Sequence, residues 1–196
     1  MSVLRRAIGA LVGAAVLLAL AGCGRLGGRI EAEEGGPGPD WDAPLVDGVS
    51  LAAVEEAQAL VPFPVFLPDE LGAPVRLVVT DPASAAPEMR AVAAVYDHAT
   101  YGRFWVIVRI SEMSEEELRS WAGCDPAAGC EGSWTLVPFR GSDEAILIEG
   151  PLATSVAWLS GDLRYDVVGP AQTFGGTAAL EVAADVAATA DEGGAA

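Results

Sequence analysis

Lysine is absent from all 196 residues, histidine occurs once, at His98, and cysteine three times, at Cys23, Cys124 and Cys130. Each shortage closes a class of chemistry. Without lysine there is no Schiff-base nucleophile and no phosphate-cradling glycine loop of the kind completed by a lysine. One histidine and two cysteines besides Cys23 fall short of the roughly four Cys or His ligands of a structural zinc site, and their spacing is not ligand-like. No Gly-x-Ser-x-Gly elbow surrounds a serine. The longest apolar run, residues 7–21, is short of the roughly twenty residues that span a bilayer core. Cations are scarce too: eleven arginines face 28 acids, for a formal charge of −17. Such a surface repels phosphate backbones and anionic headgroups, so nucleic-acid binding and electrostatic membrane docking are both disfavoured.

The remaining candidates for chemistry have plainer explanations. His98 follows Asp97, but sequence neighbours rarely serve as a base and its orienting carboxylate, and a loop histidine without catalytic role is the expected reading. Asp143-Glu144 and Glu115-Glu116-Glu117 suit a solvated turn and the positive end of a helix as well as they suit acid–base or calcium chemistry. The expectation is a protein that is not an enzyme, with no metal site and no cofactor.

What is present begins with an address. Arg5-Arg6 precedes the apolar run, which ends at Leu20-Ala21-Gly22-Cys23. A basic segment, an apolar segment and small residues are the parts of a secretory signal. The tetrad resembles the lipobox of bacterial lipoproteins. That resemblance implies cleavage after Gly22, a diacylglyceryl group on the Cys23 thiol and palmitate-like acyl chains. Two or three such chains hold a protein on a membrane much more firmly than one myristoyl chain. The alternative is an ordinary secretory signal in which Cys23 is incidental. Loss of Arg5 and Arg6 would take the formal charge from −17 to about −19. The localisation expected is the cell membrane, lipid-anchored, on the extracytoplasmic side.

Four segments follow: a signal peptide at 1–22, a lipidated tether rich in Gly, Pro and acid at 23–47, one globular domain at 48–188, and a disordered tail at 189–196. Cys124 and Cys130 are an even pair in an exported chain and read as a disulfide. A redox dithiol would have two intervening residues, not the five between these.

Within the domain, Ser50 reads as the N-cap of a helix reaching Val61. Pro62, Pro64 and Pro68 stop it and keep the chain extended. Strand-like runs follow at 75–79, 90–96, 103–110, 133–137, 145–148, 154–159 and 163–168. In the clearest, Phe104, Val106, Val108 and Ile110 share one face, and Arg103, Trp105, Ile107 and Arg109 the other. Ser114 with Glu117 forms a capping-box pattern, Ser160-Gly161-Asp162 a hairpin signal, and 177–188 a closing helix with Leu180, Ala184 and Ala187 on one face. The fold class expected is α+β: a curved antiparallel sheet of six or seven strands packed with N- and C-terminal helices.

The stretch from Val49 to Pro68, together with Ile148-Glu149-Gly150, Val156-Ala157-Trp158-Leu159 and Leu163 to Gly169, resembles a domain of unknown function. That domain occurs in extracytoplasmic lipoproteins and in the outer parts of anti-sigma-factor-like proteins. The chain departs from it at Asp69-Glu70-Leu71-Gly72 and at the Cys124–Cys130 insert. The resemblance implies the half-barrel sheet of lipoprotein-carrier proteins and transfers no active-site residues. Two functions then compete. One is a noncatalytic module that binds a protein or envelope component through its loops. The other is a carrier that holds a lipid or other apolar ligand among Phe66, Trp105, Ile107 and Trp158.

Overall fold

A computed structural model describes residues 48–80, 86–124, 130, 132–141 and 143–194. The expected signal segment, the tether and Cys23 lie outside the described residues. The described chain forms one antiparallel sheet of eight strands: β1 (Gly48–Leu51), β2 (Arg76–Thr80), β3 (Ala91–His98), β4 (Gly102–Ile110), β5 (Ser133–Phe139), β6 (Asp143–Glu149), β7 (Ala153–Ser160) and β8 (Leu163–Pro170). Their spatial order is β1-β2-β3-β4-β8-β7-β6-β5. Two four-stranded meanders thus meet at β4 and β8, where Trp105 lies opposite Val168 and Ile110 opposite Leu163.

The strand count corrects the expectation of six or seven, and the correction has one source. Residues 48–51, expected to lead into a helix capped by Ser50, pair instead with β2, Ser50 standing opposite Val78. Ladder hydrogen bonds outcompete a single side-chain cap. The helix that remains, α1, covers only Val54–Gln58 and has no side-chain cap. Beyond it the proline-aromatic run is extended, as its three prolines require. The Gln58 amide takes over the bonding that regular structure would supply: its Nε2 donates to the Phe63 carbonyl, and its Oε1 accepts from the Val65 amide, both at 2.8 Å.

The capping box forms as expected. Ser114 Oγ accepts from the Glu117 amide at 3.2 Å and Glu117 Oε2 from the Ser114 amide at 2.8 Å, opening α2 (Glu115–Ser120). The closing helix, α3, spans Gly176–Gly194 and so continues beyond residue 188 into the expected tail. Its buried stripe is Ala179, Val182, Ala183, Val186, Ala187 and Ala190, with Leu180 and Ala184 at its margin. Alanines on that stripe let the helix approach the sheet closely. Phe174, just before the helix, lies on the backbone of Gly169, where an added Cβ would stand 2.5 Å from the ring.

α1, the proline-aromatic run and α3 all pack on one side of the sheet, hereafter the first face, around Phe104, Val106, Val108, Trp158, Tyr165 and Val167. α2 packs on the second face, where Leu118 and Trp121 meet Trp134, Ile146, Ile148 and Ala157. The free edge at β5 is blunted. The outward carbonyl of Trp134 accepts from the Gly123 amide at 2.9 Å, and Pro138, four residues along and so on the same side, has no amide to offer.

Candidate functional site

Strand register divides the four residues expected to share a ligand pocket. Trp105 and Ile107 alternate with Phe104, Val106 and Val108 along β4 and therefore lie on the second face. Trp158, opposite Tyr165 in β7–β8, lies on the first, inside a closed aromatic group: Tyr165 stacks on it at 5.1 Å and Phe139 lies at 5.2 Å. Phe66 packs against the same first-face cluster. The sheet therefore stands between the two pairs, and a single cavity lined by all four does not exist.

On the second face the register places Trp105 beside Val95 and Val168, and Ile107 beside Ala93, which in turn neighbours Val78. This strip is apolar and buried, from 0 % exposed at Ala93 to 4 % at Ile107. It belongs to neither of the two clusters that α1, α2 and α3 cover. The Trp105 indole Nε1 within it is buried without a hydrogen-bond partner among the described residues, a polar handle in an apolar row.

Next to the strip sits a buried charge cluster. Arg164 is 2 % exposed and Asp166 1 %, and the guanidinium donates from both Nε, at 3.0 Å, and Nη2, at 2.6 Å, to Asp166 Oδ1. Arg109 Nη2 stands 3.6 Å from the other carboxylate oxygen. Burial lowers the pKa of the Arg109 guanidinium, while Asp166 pulls it back up and Arg164 presses it further down. The Arg164 guanidinium also lies 4.7 Å above the centre of the Trp121 ring, a cation–π contact that joins the ion cluster to the segment carrying α2. Nothing in the sequence marks Arg164 and Asp166 as buried. Their alternation with the apolar Tyr165 and Val167 reads as a solvent-facing side, and the Trp121 ring over the Arg164 guanidinium is a contact that no local pattern announces.

The remaining candidates fall elsewhere. Cys124 and Cys130 form the expected disulfide, with 5.9 Å between their Cα atoms. His98 ends β3 with its ring stacked on Tyr101 at 4.7 Å, and its Nδ1 accepts from the Thr100 amide at 3.2 Å. The Asp97 carboxylate is turned to the opposite side of the strand and accepts two bonds from Arg103, each 2.7 Å. Glu115 and Glu144 both hold Arg119, in a shallow depression shared with Leu118, Asp143 and Leu159. Among the described residues no group of three or more His, Cys, Asp or Glu is arranged to hold a metal ion. No described helix is long and apolar enough to cross a membrane.

No known protein family matches the chain, and no curated protein matches it. Among solved structures, that of a GTP binding regulator from Thermotoga maritima is similar, at 13% identity over 71% of this chain and 89% of that one, with a TM-score of 0.37.

Proposed function

We propose that the chain is a lipoprotein anchored to the membrane through Cys23, whose domain is a noncatalytic extracytoplasmic module that binds a protein or envelope component. The observation that carries this reading is the Cys124–Cys130 disulfide, since such bonds persist in oxidising compartments and are rare in the cytosol. It agrees with the resemblance of Leu20-Ala21-Gly22-Cys23 to a lipobox, which implies a mature domain outside the cell. The test is partitioning. The wild-type chain fractionates with membranes in its producing cell and carries acyl chains at Cys23, and Cys23→Ser is released to the soluble fraction. A Cys23→Ser product that stays with the membrane refutes the anchor.

The second-face strip favours a second reading, in which eight strands wrapped as a half-barrel carry a lipid or other apolar ligand. That reading rests on Trp105 and Ile107 with Val78, Ala93 and Val95, and no longer on Phe66 or Trp158. Native mass spectrometry of the Cys23→Ser chain decides between the two. Copurifying lipid whose amount falls in Trp105→Ala supports a carrier, and a clean apo mass with no uptake of offered lipids removes it.

A further inference from the structure

Among the described residues between β4 and β5 there is one short helix, α2, laid across the second face like a strap. A helix of six residues has little stability of its own, so its position depends on fastenings. Leu118 and Trp121 are buried against Trp134, Ile146, Ile148 and Ala157. The Gly123 amide bonds the Trp134 carbonyl at 2.9 Å. The Arg119 pairs with Glu115 and Glu144 are exposed and hold little. The remaining fastening is covalent. Cys124, whose amide still bonds the Trp121 carbonyl at 3.3 Å, is the last residue of the α2 turn, and Cys130 stands three residues before β5.

We infer that Cys124–Cys130 is a redox-operated latch that holds the α2 strap closed over the Trp134–Ile146–Ile148 cluster and the Arg164–Asp166 pair. With the bond closed, the end of the strap is kept 5.9 Å from the lead into β5, Cα to Cα. Six residue steps of free chain could separate the same atoms by about 20 Å. Both cysteines are half-buried rather than enclosed, packed against the Trp121–Trp134 cluster. The sheet beneath does not need the strap. β6, β7 and β8 are backed on the first face by α3 and its cluster, so opening is local. What opening uncovers is an apolar patch with a buried ion pair at its border, a surface of different character from the acidic exterior.

The step is thiol–disulfide exchange. A dithiol reductant gives up two electrons and two protons and closes to its own disulfide, while the Cys124–Cys130 bond breaks and leaves two thiols. Hydrogen exchange on the full chain tests the latch, with dithiothreitol as the dithiol. Losing closure of so short a loop favours the open strap by about 50-fold on the chain-entropy account. The expected result is faster exchange by up to that factor across residues 113–123 in the reduced chain. The α3 and β3–β4 amides should stay unchanged, and protection should return on reoxidation. The Cys124→Ser/Cys130→Ser chain should show the reduced pattern without reductant. Unchanged exchange at 113–123 overturns the proposal. So does a rise across the whole domain, which would make the disulfide a global staple.

Discussion

The Arg164–Asp166 pair gives the sharpest test of the second face. Both side chains are essentially out of solvent, and removing one partner of a buried pair leaves an uncompensated charge at a cost of about 3–5 kcal/mol. The two single replacements should nonetheless differ. Arg164→Leu leaves Asp166 with Arg109, 3.6 Å from its second oxygen, so the loss should fall at about 2–3 kcal/mol. Asp166→Leu strands Arg164, buried, beside a second guanidinium, and should cost the full 3–5 kcal/mol or so. The double replacement removes both charges and should lie within about 2 kcal/mol of the parent. Urea unfolding of the four full-length Cys23→Ser chains, followed by far-ultraviolet circular dichroism, gives the cycle, with m required to stay constant across it. A coupling energy of at least about 2 kcal/mol is expected. The reasoning fails if Asp166→Leu costs less than about 1 kcal/mol, or if the double replacement equals the sum of the singles.

The Tyr96 hydroxyl is buried without a partner among the described residues, so Tyr96→Phe should be neutral or stabilising by about 1 kcal/mol, read from the same urea midpoints. A loss above that size would reveal a bond to that hydroxyl. Burial pushes the Tyr96 and Tyr165 phenols up, and the Tyr165 phenol is raised further by Asp191. The unfolded chain therefore sheds these protons first, and the stability they lend, complete below about pH 10, is lost as pH rises toward their folded values. Tyrosinate absorbance should report Tyr101 alone before unfolding and the other two with it, whereas three independent early titrations would contradict the burial. Gly169→Ala should cost about 1–3 kcal/mol by overpacking against Phe174. Much of that loss should be recovered in a Phe174→Gly background, which removes the Cβ, Cγ and Cδ1 atoms that the new methyl meets, and equal losses in both backgrounds would place the strain elsewhere.

Seven of the eight strands were legible because each carries its own evidence: β-branched runs, two-residue turns and, at Gly161 with φ of 57°, a turn residue suited to a hairpin. The capping box at Ser114 was legible for the same reason, since both of its bonds lie within four residues. The failure at Ser50 is of another kind. Ser-Leu-Ala-Ala-Val-Glu-Glu-Ala has helical spacing, and the partner that turns its first residues into a strand is β2, 25 or more residues away. A cap within reach and a ladder out of reach look alike until the ladder partner is placed.

The candidate pocket failed by the same logic, one level up. Alternation within β4 correctly separates Phe104 from Trp105, and alternation within β7 separates Trp158 from its neighbours, but neither strand alone says which of its sides matches which side of the other. That parity passes through two ladders, Trp105 to Val168 and Val168 to Ser155. Ser155, not Trp158, therefore shares a face with Trp105, because residues an odd number apart on one strand point opposite ways. The first of these pairs is 63 positions apart in sequence, and no local pattern encodes its register. A one-residue slip there would bring Trp158 to the face of Trp105 and move Arg164 and Asp166 to the side of Phe104 and Val106. On the second face Arg164 and Asp166 pair with each other and Asp166 with Arg109, a partner that a slipped register would leave on the opposite side, so the buried charges help to decide which face Trp105 and Ile107 occupy.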